Sequence, residues 1–483
     1  MKATSLFGGV QVINIIIQII RSKVIAILLG PAGLGIIGLL NTSIGLIGSL
    51  TDFGLGTSAI REVASANNSH DNYKTSVTIT VVRRLVWLTG IVGTLLVLLL
   101  SPWLSQISFG NRDYTIAFVW ISITLLFQQL TNGQFVILQG MRKLHLLAKA
   151  NVLGSLFGLI FSLPFYYFYG TDGIVPGIVG TAFISLLLSY YFSKKVIIDK
   201  VEVSYNQTFA KGKNMLRMGF MISLSTLLTV GTSFILRIFI NRTGSVEQVG
   251  LYTAGFAIIN TYVGLIFSAM GTDYYPRLSA VAHDNSLSKQ TINQQAEISL
   301  LILSPILVVF LFFIKWVIVF LYSNEFIAIN AMIYWAALGM FFKAASWSIG
   351  FVFLAKGASK IFFWSELMAN TYMLILNVFG YMLGGLEGLG ISFFVSYVFV
   401  LIQVYFLANR KYMFSFDPVF IKIFLVQFSL AVLGFLAVKF MSYLYIIFTG
   451  FFLIAISSWY SFKELDARLG LKTIIYVFFK KDT

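Results

Sequence analysis

Four polar residues in the first apolar run, Gln11, Asn14, Gln18 and Arg21, stand three, four and three positions apart. At 3.6 residues per turn that spacing lines them up on one face of an α-helix. Their neighbours on the other faces are Val, Ile, Leu and Phe. A row of amides ending in a guanidinium is costly against lipid, so it must face a protein interior or a water-filled cavity. Lys23 puts a second cation near the same end. The amides alone are explained equally well by hydrogen bonds to neighbouring helices. Arg21 and Lys23 tip the reading toward a cavity that receives an anion.

Other apolar runs contribute to the same chemistry. Ser223, Thr226, Ser233 and Arg237 fall near one helical face. Arg237 and Lys315 lie close enough to a helix end to snorkel to the surface. Lys343 does not, because it stands about 22 Å from the outer end of its helix at 1.5 Å per residue. An ammonium at that depth needs a partner or water. Gln128, Asn132 and Asn370 complete the polar lining expected of the cavity, beside Gln11, Asn14 and Gln18. The four cations Arg21, Lys23, Arg237 and Lys343 are its expected anion-binding groups, and the planar guanidinium suits phosphate in particular. Acids are few. Asp52, Asp273 and Glu366 sit near inner helix ends and are candidates for coupling to H⁺ or Na⁺. The other reading of Asp52 and Asp273 is a helix-terminal or interlobe hydrogen bond. No metal or organic cofactor is called for.

The elements that must position these groups are all helical. The 483 residues are 58% hydrophobic and 11% charged, and long apolar runs recur from end to end, as in a polytopic α-helical membrane protein. Fourteen segments are expected, at about 5–29, 34–56, 77–101, 115–139, 148–168, 173–193, 214–240, 249–276, 297–322, 328–355, 361–383, 387–408, 420–438 and 441–462. The first is no cleaved signal peptide, being too long and carrying Arg21 and Lys23. With the N-terminus inside, 26 of the 34 Lys and Arg fall in the inner connections, the termini or the start of the third segment, and five (Arg21, Lys23, Arg237, Lys315 and Lys343) lie within helices. Only Arg112, Arg242 and Lys439 fall in outer connections. That bias places both termini in the cytoplasm. It also accounts for the net charge of +16 without any nucleic-acid partner. There is no Cys, which excludes disulfides and thiolate metal sites.

The chain reads as a parallel repeat. Gly30-Pro31-Ala32-Gly33-Leu34-Gly35 matches Gly244-Ser245-Val246-Glu247-Gln248-Val249-Gly250, and Thr51-Asp52-Phe53 matches Thr272-Asp273-Tyr274. Three further loop pairs recur in the same order, at an offset near 215 residues. Two six-helix lobes around a central cavity follow, with residues 1–193 as the N-lobe and 214–409 as the C-lobe. A cytoplasmic linker, 194–213, joins them. Residues 410–483 form an extra helix pair and a cytoplasmic tail. The pair is either a stabilising hairpin or a groove for a hydrocarbon tail.

The chain resembles the polysaccharide-flippase (Wzx, or PST) branch of the multidrug/oligosaccharidyl-lipid/polysaccharide (MOP) exporter superfamily. The similar residues are Gly30 to Gly35, Tyr275-Pro276-Arg277-Leu278-Ser279, Ser323-Asn324-Glu325-Phe326, Lys343, Ala355-Lys356 and Glu366. The resemblance implies transport of an undecaprenyl-diphosphate-linked oligosaccharide, such as an O-antigen repeat unit, by alternating access. It implies the bacterial inner membrane as location, lipid as surroundings and other polysaccharide-assembly proteins as partners. The extra helix pair is similar to that of lipid II flippase relatives, where it carries the tail groove. A MATE-like cation or drug antiporter would want carboxylates deep in the cavity. A membrane polymerase or ligase would want a large outer loop with Arg or His. Neither is seen, and the chain is not expected to be an enzyme.

Overall fold

The computed structural model describes residues 2–69, 71–199 and 201–470, with side chains from residue 13 onward except at a few helix-interior positions. Gln11 as a side chain and the tail 471–483 lie outside the described residues. Among the described residues every regular element is helical: α1 (Lys2–Thr51), α2 (Leu55–Asn68), α3 (Asn72–Phe109), α4 (Thr115–Gly140), α5 (Leu144–Tyr169), α6 (Ile174–Ser193), α7 (Tyr205–Thr243), α8 (Val246–Ala257), α9 (Gly264–Ala280), α10 (Asn285–Leu321), α11 (Asn330–Ala355), α12 (Ser359–Tyr412), α13 (Pro418–Phe440) and α14 (Tyr443–Leu469). A π-helical turn, Ile258–Val263, joins α8 to α9. Among the described residues, eleven continuous helical stretches are long and apolar enough to cross a membrane, so the protein is multi-pass.

Three of the eleven stretches contain breaks where the sequence places segment boundaries. Gly30 breaks α1 with φ +62°, a left-handed conformation that glycine adopts without strain, and Pro31 then starts the next helix with a φ suited to its first turn. A 3₁₀ turn, Gly170–Gly173, separates α5 from α6. Gly384 and Gly385 break α12. Two differences from expectation remain: the segment expected at 34–56 ends at Thr51 and is followed by a separate helix, α2, and the segment at 249–276 is not one α-helix but α8, the π turn and α9.

The described chain packs as two compact units, Met1–Leu251 with Leu321–Glu325, and Tyr252–Phe320 with Phe326–Thr483. In the first unit α7 packs on α1 and α3, and α5 on α6. Its core includes Leu55, Val63, Val82 and Ile137, all essentially inaccessible. The two glycine motifs that match in the repeat touch each other here. A Cβ at Gly35 would lie 2.0 Å from the Val246 carbonyl oxygen, and one at Gly250 would lie 1.8 Å from that of Pro31. Glu325 Oε2 closes on Gly30, 3.1 Å from where its Cβ would be. Three short motifs far apart in sequence thus form one backbone seam, which only glycine permits.

In the second unit α11 runs through the core, flanked by α12 and α13. The α13–α14 pair is fastened to this unit. Gln427 is fully buried and donates to the Ser457 carbonyl at 3.2 Å and to Ser461 Oγ at 2.8 Å, while Ser457 Oγ donates back to Oε1 at 2.7 Å. Gly434 and Gly450 both face Phe312 of α10. At the end of α14, Arg468 pairs with Glu297 of α10 and with Glu464, each at 2.7 Å.

Candidate functional site

The first unit contains a polar cavity of about 590 Å³. Each wall comes from one helical stripe. On α4, Gln128, Thr131, Asn132 and Phe135 fall at steps of three, one and three, which is one face. On α6, Ile178, Thr181 and Ser185 do the same. Asn151 and Ser155 of α5 stand one turn apart. Arg21 comes from the first half of α1 and Asn41 from the second. Small residues bring α5 onto α6, since a Cβ at Gly158 would sit 2.6 Å from Thr181 Cγ2. Thr181 Oγ1 then bonds back to the Gly158 and Gly177 carbonyls at 3.1 and 2.7 Å.

The polar part of the lining is amide and hydroxyl with one guanidinium and no carboxylate, set among apolar residues such as Ile44, Phe135 and Ile178. Asn14 Nδ2 donates to Asn151 Oδ1 at 3.2 Å, tying α1 to the α5 wall. Asn14 Oδ1 and Thr131 Oγ1 are buried with no partner among the described residues. Unmet groups of this kind beside a cavity are what a hydroxylated or hydrated ligand satisfies. The cavity therefore offers many neutral hydrogen-bonding groups and a single positive charge.

The candidate residues separate as follows. Arg21, Gln128 and Asn132 line this cavity, and Asn14 is one bond behind it. Gln18 is exposed and Lys23 half-buried on the same helix, outside the lining. Arg237 of α7 donates to the Ser233 carbonyl at 3.3 Å and to Ser233 Oγ, one turn back on its own helix. Lys343 belongs to the second unit. Its ammonium donates to Asn260 Oδ1 at 2.9 Å and faces the rings of Tyr397, Phe267 and Phe393 at 5.3, 5.9 and 5.9 Å. Asn260 lies on the π turn, a distortion found often at functional positions. Asn370 donates to the Glu366 carbonyl at 2.9 Å within α12.

The two acids matched by the repeat have different surroundings. Asp273 is exposed and paired with Arg277 at 2.8 Å, one turn on. The residue one turn after Asp52 is Gly56, so no such pair forms. Asp52 sits half-buried between α1 and α2. Burial pushes its carboxyl above the usual range, opposed by a hydrogen bond from Gln129. Its Oδ1 has no partner among the described residues.

Sequence reasoning missed Asn41, Ser155, Thr181 and Ser185 as lining, and Asn260 as the Lys343 acceptor. Thr181 and Ser185 stand one turn apart, a signal that was available. Asn260 is an amide inside the run expected at 249–276, and the π turn that aims it at Lys343 is invisible in sequence.

Comparison with solved structures defines the fold. The lipid II flippase MurJ in its inward closed conformation superposes with a TM-score of 0.71 at 14% identity, covering 96% of this chain and 99% of that one. An inward-facing multidrug resistance MATE family transporter of the MOP superfamily gives 0.68 at 15% identity, covering 83% and 94%. The fold is thus that of MOP-superfamily transporters. Residues 24–331 match the family described as "Polysaccharide biosynthesis protein". The chain belongs to that family. Among curated relatives, the lipid III flippase of Escherichia coli (strain K12) is 21% identical over 383 residues, covering 77% of this chain and 89% of its own, and that of Shigella flexneri matches equally.

Proposed function

We propose that this protein is a flippase that carries a lipid-linked oligosaccharide from the cytoplasmic to the periplasmic leaflet of the bacterial inner membrane. The substrate class we infer is an undecaprenyl-diphosphate-linked repeat unit of a surface polysaccharide, O-antigen or a relative of it. The observation that carries this reading is the cavity of the first unit: a membrane-embedded chamber of amides and hydroxyls with Arg21 as its one cation. Sugars and a diphosphate cannot cross about 30 Å of hydrocarbon unaided, whereas a polyprenyl tail is at home there. The transporter's task is to give the head group a hydrated, hydrogen-bonding path while the tail stays in lipid. Family membership and the lipid III flippase relatives support the same reading. A cation or drug antiporter is less well served, since no carboxylate lines the chamber.

In this scheme Arg21 holds an anionic group of the substrate through charge-assisted hydrogen bonds. Gln128 and Asn132 present amides to sugar hydroxyls. Lys343 acts on the substrate from the second unit, and Asp52 is the acid available for ion coupling. Both termini are cytoplasmic. Movement of one bundle against the other exposes the path to each side in turn.

Depletion of the protein tests the reading. Lipid-linked oligosaccharide should accumulate in the cytoplasmic leaflet, where an impermeant reagent added outside does not reach it. Arg21→Ala should reproduce the accumulation at normal protein abundance, and Arg21→Lys should relieve it in part, keeping charge but not the planar fork. If the oligosaccharide stays accessible from outside in depleted cells, the protein is not the flippase for it.

A further inference from the structure

Arg83 and Arg84 are consecutive on α3 and face different surroundings. Arg84 donates to the Val203 carbonyl and to Thr208 Oγ1 at 3.1 Å, with its guanidinium 5.2 Å from the Tyr205 ring centroid. It fastens the stretch that leads into α7. Arg83 lines a cleft of about 350 Å³ between α3, α4 and α6, with Trp87, Leu130, Gln134, Leu187 and Tyr190. No carboxylate pairs with Arg83 among the described residues. The lining includes no acid at all.

The tryptophans of α3 argue that the Arg83 end of the cleft reaches head-group height. Trp87 and Trp103 of α3 are half-exposed, at 50% and 53%. Sixteen residues separate them, or ~24 Å of helix. Exposed tryptophans so spaced mark the two edges of the hydrocarbon. Arg83 stands one turn outside Trp87, at the level of lipid phosphates. Tyr190, three residues before the end of α6, is followed by Lys194 and Lys195 at the same edge.

A second observation points into the cleft. Gln134 is only 8% exposed, yet its Oε1 has no partner among the described residues. Its place is set by Gly133, where a Cβ would lie 3.1 Å from Val86 Cγ1, so α4 comes close to α3 here. A buried amide left without a protein partner is expensive. One beside an open cleft is completed by what fills the cleft.

We propose that this cleft binds an anionic glycerophospholipid, of which phosphatidylglycerol is the simplest. The phosphate meets Arg83, a hydroxyl of the head-group glycerol donates to the unmet Oε1 of Gln134, and the upper acyl chain lies on Leu130 and Leu187. Basic pockets between transmembrane helices take lipid head groups in this way. Charge selects the lipid. A zwitterionic head group brings an ammonium for which the cleft has no carboxylate. On the topology above the site faces the inner leaflet, but the inference stands apart from what the protein transports.

Native mass spectrometry of the protein released from nanodiscs of equimolar phosphatidylglycerol and phosphatidylethanolamine tests it. The wild type should retain phosphatidylglycerol in preference. Arg83→Gln should cut that preference about tenfold, the equivalent of ~1.4 kcal/mol. Lys195→Gln, a surface cation at the same height, should leave it unchanged. Leu187→Trp fills the cleft with Arg83 in place, so it should displace the lipid by a second route, which keeps the test valid if Arg83→Gln folds poorly. Equal retention of the two lipids by the wild type would overturn the proposal. So would a lipid preference in both Arg83→Gln and Leu187→Trp that matches the wild type.

Discussion

Lys343→Met separates a transport role from a structural one, because the surroundings of Lys343 let its stability effect be worked out beforehand. An ammonium near the centre of a spanning helix costs about 3 kcal/mol on insertion scales. A hydrogen bond to a charged group, here to Asn260 Oδ1 at 2.9 Å, returns about 1.5–3 kcal/mol. The faces of Tyr397, Phe267 and Phe393 return about 0.5–2 kcal/mol more. These terms nearly cancel. No carboxylate pairs with Lys343 among the described residues, so removing it strands no buried anion, the event that makes broken ion pairs so damaging. Methionine keeps the length of the stem. Lys343→Met should therefore shift unfolding free energy by less than about 2 kcal/mol in either direction. If the ammonium serves the substrate, transport per folded molecule should fall about tenfold, for ~1.4 kcal/mol of lost interaction. Lys343→Arg should keep most of it. Melting temperature of the purified protein, read beside transport normalised to folded protein, checks both halves. A collapse of abundance and melting temperature in the Met variant would refute the cancellation and make Lys343 a structural lock. Unimpaired transport by a stable Met variant would refute the substrate role.

Gly250→Ala drives a Cβ toward the Pro31 carbonyl, 1.8 Å away, and backbone cannot yield as a side chain does. The variant should lose about 2 kcal/mol or more of stability, seen as reduced abundance and melting temperature. Asp52 has a carboxyl raised above its ordinary 3.8 by burial, so the folded state binds its proton more tightly than the unfolded state. Its contribution to stability therefore falls as pH rises through the window from 3.8 up to the raised value. Asp52→Asn should flatten that part of a melting-temperature-against-pH profile and raise stability at neutral pH, and a variant profile parallel to the wild type would count against the buried carboxylate. Reporter fusions after Lys213 and after Thr483 should both read cytoplasmic, and a periplasmic reading at either would overturn the topology.

Legibility in the sequence followed the strength of local rules. Gly30-Pro31 announced a helix break because no other pair combines a free left-handed φ with a ready-made helix start. Arg21, Gln128 and Asn132 were legible as lining because charges and amides in apolar helices are costly wherever they are not used. Thr181 and Ser185 were not, since hydroxyls back-bonded to their own helix cost little and look alike on any face. Gln427 escaped notice for a related reason. One amide in an apolar helix carries no register, and its three bonds need Ser457 and Ser461, which only the folded α13–α14 pair brings to it. The repeat was legible as loop motifs but not as environments. Asp52 and Asp273 match in sequence, yet Arg277 pairs the second, while the first has Gly56 one turn on and takes a hydrogen bond from Gln129 instead.

The π turn at Ile258–Val263 has a consequence for how this stretch can vary. Its wider loop takes up one residue more than an α-turn, and one residue is ~100° of rotation. The side-chain stripes of α8 and α9 are therefore offset in phase, and a single amphipathic wheel drawn through residues 246–280 misassigns the faces of one half. A one-residue deletion inside the turn can restore an ordinary α-helix. It would do so only by rotating what lies on one side of the deletion against what lies on the other. The amide of Asn260, held toward Lys343 by that extra residue, would be the first to lose its bearing. Length, here, is as constrained as composition: away from Gly250, a substitution along α8 or α9 acts at its own position, whereas an insertion or deletion turns every residue on one side of it.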